Sequence, residues 1–197
     1  LPLSGSAFKK VYYDEIMQRA VSKFVPADDL VVPYTATSLD DAESIIHVVK
    51  ISENELRKQQ VGGFYRDIEL NPSYVNESDI EKKERELDGT RKGRDERIFS
   101  LLECHVNLDI DGFNDVDAEG LPTGIKLPYI VTIEEGSRET LSIRRNYEIG
   151  DPLKNKIDYF VHFKFLPGLG FYGFGLIHMI GGLSRTATSA LRSLLDA

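Results

Sequence analysis

A single cysteine, Cys104, is all the chain has, so no disulfide can form within it and nothing in its thiol content points to an oxidising compartment. Positive charge is also scarce. Twenty-four Lys and Arg stand against 32 Asp and Glu, a net charge of −8, and a phosphate-gripping surface would need strong local segregation of charge. A classical DNA-binding domain is therefore not expected. The N-terminal residues do not read as a basic and then apolar leader, so the chain is expected to work in the cytoplasm. What is plentiful is ordinary globular material. With 41% hydrophobic and 28% charged residues over 197 positions, the chain can fold as one large domain or two small ones, and wholesale disorder is excluded.

The pattern along the chain predicts an α+β fold of largely antiparallel strands and hairpins, with one short capped helix, a charged linker or helix, and a long C-terminal helix. Residues 1–70 form a β-rich part. Phe8 to Tyr13 and Ala20 to Val25 read as a hairpin, Leu30 to Tyr34 as a short edge run limited by Pro33, and Ser44 to Ile51 as a strand buried on both faces. Ser52-Glu53-Asn54-Glu55 spells a capping box opening a surface helix that Gly62-Gly63 closes. Residues 71–97 are the linker or helix: 15 of the 21 residues from 77 to 97 are charged, so this run is expected to be the most exposed and mobile part, or a docking arm.

Residues 98–166 form a second, antiparallel β part. From Leu102 to Asp111, Leu102, Cys104, Val106, Leu108 and Ile110 alternate with Glu103, His105, Asn107, Asp109 and Asp111, which predicts an apolar core face and a wet polar face. Strands near Leu127 to Glu134 and Thr140 to Tyr147 meet at Glu135-Gly136-Ser137, and a strand from Asp158 to Phe165 puts Tyr159, Val161, Phe163 and Phe165 on one face. Residues 167–197 are a glycine-rich loop and a helix. Leu176, Ile180, Leu183, Ala187, Ala190 and Leu194 recur at four- and three-residue steps, a narrow apolar seam. Leu1 stands at the start in place of Met and the helical pattern reaches Ala197 without a stop signal, so the chain is expected to be a piece of a longer protein.

Chemical motifs are few. Gly168-Leu169-Gly170-Phe171-Tyr172-Gly173 matches the dinucleotide spelling G-x-G-x-x-G, yet no second parallel strand with an acidic ribose ligand follows about 20 residues on. Phe165 to Leu183 is 19 residues long with no formal charge apart from His178, but its glycines and Pro167 favour a glycine-hinged loop running into a helix over a membrane span. The oxygen-rich Asp109 to Asp117 run has glycine at the wrong place for a calcium loop. Cys104 and His105 point to opposite faces of a strand and cannot pair as nucleophile and base. No catalytic residue, cofactor site or metal site is expected.

Specific strings carry a resemblance. Phe24-Val25-Pro26-Ala27-Asp28-Asp29-Leu30-Val31-Val32-Pro33-Tyr34, Val61-Gly62-Gly63-Phe64-Tyr65-Arg66-Asp67 and above all Gly170-Phe171-Tyr172-Gly173-Phe174-Gly175-Leu176-Ile177-His178 resemble the portal proteins of tailed bacteriophages, over nearly the whole chain. The resemblance implies the wing or body region of a subunit in a ring, normally of twelve copies, at one capsid vertex. Double-stranded DNA would pass non-specifically through the channel, and terminase, capsid and tail adaptor proteins would dock on the ring. It further implies residence in the virion, with assembly in the host cytoplasm, and no membrane. The residues expected to serve packing or subunit contact are Phe171, Tyr172, Gly173, Phe174, Leu176, Ile180 and Leu183. The alternatives are a nucleotide-binding or enzymatic domain on the Gly168 to Gly173 loop, and a membrane-anchored factor using Phe165 to Leu183.

Overall fold

Alternating and β-branched runs became strands, as expected from their period of two. The computed structural model describes residues 1–14, 18–70, 83, 86–87, 89, 98–117, 119–168 and 170–195. Among them the fold is α+β, with two antiparallel sheets and a long C-terminal helix. The strands are β1 (Ser6–Asp14), β2 (Arg19–Val25), β3 (Leu30–Val31), β4 (Ser44–Ser52), β5 (Ile98–Leu108), β6 (Leu127–Glu134), β7 (Thr140–Arg145) and β8 (Phe160–Lys164); the helices are α1 (Glu53–Val61) and α2 (Leu176–Leu195). Of the charged run 77–97, only Lys83, Glu86, Leu87 and Gly89 are described, so the expectation placed on that run lies outside the described residues.

The chain divides into two compact units, Leu1–Ile45 with Ile157–Ala197, and Ile46–Lys156. In the first, β1 is the middle strand of a three-stranded sheet. It pairs antiparallel with β2 (Phe8 opposite Val25, Tyr13 opposite Ala20) and with β8 (Phe8 opposite His162, Lys9 opposite Val161). The face holding Phe8, Val25 and Phe160 joins Leu30, Ala36, Leu39, Ala42, Ile45 and Phe171 in the core. The expected single face of Tyr159, Val161, Phe163 and Phe165 is corrected: Phe160 enters the core and Tyr159, just before the strand, packs against it, while Val161, Phe163 and Phe165 are exposed. They stand beside Val11, Tyr13 and Phe24, so the outer face of this sheet is an open apolar surface.

The second unit follows the strand order β4-β5-β6-β7. Its core is Ile51, Leu56, Phe99, Leu101 and Leu141, with Val49, Tyr65, Ile68 and Leu70 packed against them. Three expectations are corrected here. β4 is buried only at Ile45 and Ile51, its other positions being partly or fully exposed. α1, predicted to lie on the surface, sends Leu56 into the core, and its buried Gln60 donates Nε2–H to the carbonyls of Arg66 and Ile68 at 3.3 and 2.9 Å. Its start is as read: Ser52 is the N-cap, and its Oγ accepts the Glu55 amide at 3.4 Å.

The third correction concerns β5. Its polar side is the more deeply buried one: Phe99, Leu101, Glu103 and His105 point inward, while Leu102, Cys104, Val106 and Leu108 are only half-buried. Glu103 and His105 are tolerated there because they meet each other at 2.7 Å. Beside them, burial and then the Glu103 charge push the Tyr65 phenol up to about 12. The thiol of Cys104, on the other side, is likewise pushed up by burial and then by Glu103, so it stays protonated and unreactive at neutral pH. In the acidic loop the carboxylates serve protein donors. Asp115 takes Lys154 and Thr123, Asp117 takes the amides of Glu119 and Leu121, and Asp109 takes Asn114.

Candidate functional site

The glycine and aromatic segment before α2 packs against the N-terminal residues of the first unit. Residues 1–5 turn across the start of α2: the Gly5 amide donates to Leu1 O at 2.8 Å, and the Leu176 amide donates to Pro2 O at 2.7 Å. At the same helix start, His178 Nδ1 accepts the Gly175 amide at 3.0 Å, the role a glutamate plays in a capping box. Leu166 and Phe174 exchange both main-chain bonds, and Phe165 N donates to Gly5 O at 2.9 Å. The segment is thus built like a small extra piece of sheet.

Close backbone approach explains three of the glycines. A Cβ on Gly175 would sit 2.1 Å from Leu3 O, one on Gly173 would sit 2.7 Å from Gly5 O, and one on Gly5 would sit 2.3 Å from Gly173 O. Gly5 also has φ +86. The glycines of the 168–175 string lie outside the left-handed region, so the hinge expected there is corrected: what the chain needs at Gly173 and Gly175 is the missing Cβ, not the freedom of φ.

Ser6 is the hub. Its Oγ accepts the Gly173 amide at 2.8 Å and lies 3.1 Å from His162 Nε2. His162 stacks on Phe8 at 4.2 Å and lies 5.0 Å from Phe171. Burial, and then the Lys164 charge, hold the imidazole down to about 4. A serine beside a histidine invites comparison with a nucleophile and its base, yet a base this weak takes a hydroxyl proton poorly. Ser6 is buried, and among the described residues His162 Nδ1 has no hydrogen-bond partner to orient it. The pair therefore acts as a staple between β1, β8 and the loop. Sequence reasoning missed it because the two residues are 156 positions apart with no shared motif.

A neutral His162 has a consequence for pH. Between about 6.5 and about 4 the unfolded chain takes up a proton that the folded chain refuses, so stability falls as pH drops through that window. Urea midpoints measured from pH 7 to pH 4 are expected to fall, and His162→Gln is expected to flatten the decline. An equally steep decline in the variant would show that other groups cause it.

The residues singled out from the sequence divide into two sets. Phe171 and Gly173 are buried, Phe171 lying 5.9 Å from Phe8. Tyr172 and Phe174 are half-exposed, each with an edge contact, to Phe171 and His178 respectively. Leu176 is half-buried, whereas Ile180 and Leu183 are exposed, and α2 has no buried residue at all. Its apolar surface is also wider than the narrow seam. At 100° per residue, the side chains from Met179 through Leu183 to Ile177 cover an arc of about 160°, broken only by Ser184, with Arg185 and Arg192 at the opposite pole. With Leu183 72% exposed, Leu183→Ala is expected to move the stability of the single chain by less than about 0.5 kcal/mol in denaturant melts. A fully buried leucine would cost about 2–5 kcal/mol.

The G-x-G-x-x-G string has already spent its nearby amides. Those of Gly173, Phe174 and Gly175 donate to Ser6, Leu166 and His178, where a phosphate cradle needs them free. Among the described residues no helix is long and apolar enough to cross a membrane. No protein-family model matches this sequence, and no curated protein matches it.

Proposed function

We propose that the chain is a structural subunit of a tailed-bacteriophage portal ring, of about twelve copies, through which double-stranded DNA is packaged and ejected. The observation that carries the reading is α2, a 20-residue helix with a broad apolar arc and no buried residue, anchored by a glycine and aromatic segment that resembles the portal string. An uncovered apolar surface of this size calls for a partner, and a subunit in a ring has one on each side. The net charge of −8 suits a conduit, because every phosphate gripped adds a counterion-release cost to DNA movement. Terminase, capsid and tail adaptor proteins are the further partners, in the virion and, during assembly, in the host cytoplasm.

Negative-stain microscopy of the longest polypeptide containing this chain tests the reading. Closed rings with a central hole are expected. Particles no larger than a dimer, or saturable binding of ATP or NAD by calorimetry, would favour a nucleotide-binding domain instead.

A further inference from the structure

We propose that the arc of α2 in one copy covers the open outer face of the β1-β2-β8 sheet in the next copy, an assignment that rests on the ring reading and names its interface. Both surfaces belong to the first unit, and among the described residues both are exposed. The sheet face presents Val11, Tyr13, Phe24, Val161 and Phe163, all exposed, with Lys9 lying 5.9 Å from the Phe163 ring centroid. Phe24 alone is 66% exposed.

Three features favour this pairing over others. The first is shape. An arc of about 160° is too wide for a two-stranded helical seam, which uses a narrow stripe, and suits a broad sheet. The nine residues of β1 and the 20 of α2 both span about 30 Å. The second is charge. Among the described residues neither surface carries a carboxylate, and Arg185 and Arg192 lie on the pole facing away, so Lys9 meets no like charge and keeps its ammonium over the Phe163 ring, with its long stem free to carry it to the rim. The third is area. An arc of about 160° on a helix about 30 Å long offers roughly 500 Å², or about 1,000 Å² with the sheet counted, which reaches the lower bound for a specific interface. Because the helix and the sheet are different patches, the contact is head-to-tail, and a head-to-tail contact that closes gives a ring, not a two-fold dimer.

Phe24→Glu and Leu183→Glu test the pairing by multi-angle light scattering on the full chain. Both sites are exposed in the single chain, so each variant is expected to keep the wild-type unfolding midpoint. Each alone is expected to weaken assembly roughly a hundredfold by burying an unpaired carboxylate. Mixed one to one, the intact helix of the first and the intact sheet of the second are expected to form a heterodimer that grows no further. Assembly untouched by Phe24→Glu but lost with Leu183→Glu would overturn the sheet assignment in favour of helix pairing, with the ring reading intact. Vesicle adsorption of the wild type, on phosphatidylcholine with phosphatidylglycerol, that Leu183→Glu alone removes would overturn it in favour of a lipid surface. A monomeric wild type whose α2 amides resist hydrogen exchange would mean that the chain covers its own helix, and both readings would fall.

Discussion

Gly175→Ala and Gly173→Val are each expected to unfold the first unit, at a cost above about 4 kcal/mol. The added Cβ of Gly175→Ala would stand 2.1 Å from Leu3 O and 2.6 Å from Gly5 N; that of Gly173→Val would stand 2.7 Å from Gly5 O and 2.9 Å from Leu166 O. These are main-chain atoms, so no side chain can swing aside. Relief requires moving residues 1–5 off the start of α2, which breaks the Leu176 to Pro2 bond and the Gly173 to Ser6 bond. Gly170→Ala is the matched control, since no atom lies within 4 Å of its added Cβ and its φ is ordinary. It is expected to be neutral or to stabilise by up to about 1 kcal/mol. Denaturant melts followed by near-ultraviolet circular dichroism decide the matter. Equal midpoints for Gly175→Ala and Gly170→Ala would refute the close-approach account.

Phe8→Ala is expected to cost about 3–5 kcal/mol. Phe8 is 0% exposed and sits in the middle strand of its sheet, stacked on His162 at 4.2 Å and on Phe171 at 5.9 Å. Removing the ring takes away transfer energy and leaves a cavity that three strands cannot easily collapse. It also lets water reach His162, so the loss of stability between pH 6.5 and 4 is expected to become shallower in this variant. Urea melts at pH 7 and pH 5 measure both effects. A loss under about 1 kcal/mol would place Phe8 outside the core.

Much of the architecture follows from local chemistry alone. The β-rich runs at Phe8 to Tyr13 and Ala20 to Val25 pair as a hairpin, because a strand of either needs an adjacent partner for its main-chain groups. Ser52 caps α1 because a hydroxyl three residues before an amide can reach it, and the four- and three-residue steps of the last segment mark the helix that forms there.

Which side of an element becomes core is another matter. Alternation along β5 announces two faces but carries no instruction as to which one the rest of the chain will cover. The face with Glu103 and His105 is buried because Leu56, Leu141 and Tyr65, all from distant parts of the sequence, pack on that side with Phe99 and Leu101. The same holds for β8, where Phe160 went inward and the aromatic-rich row stayed out.

The glycines follow suit. Their number between 168 and 175 is plain from the sequence, whereas the requirement at Gly173 and Gly175 comes from main-chain atoms of residues 3–5, more than 160 positions away. Composition and period therefore determined which elements this chain forms and where they start. The covered faces, the Ser6 and His162 staple and the need for bare backbone at Gly173 and Gly175 were decided only by tertiary structure, because each depends on atoms that the fold alone brings within a few ångströms.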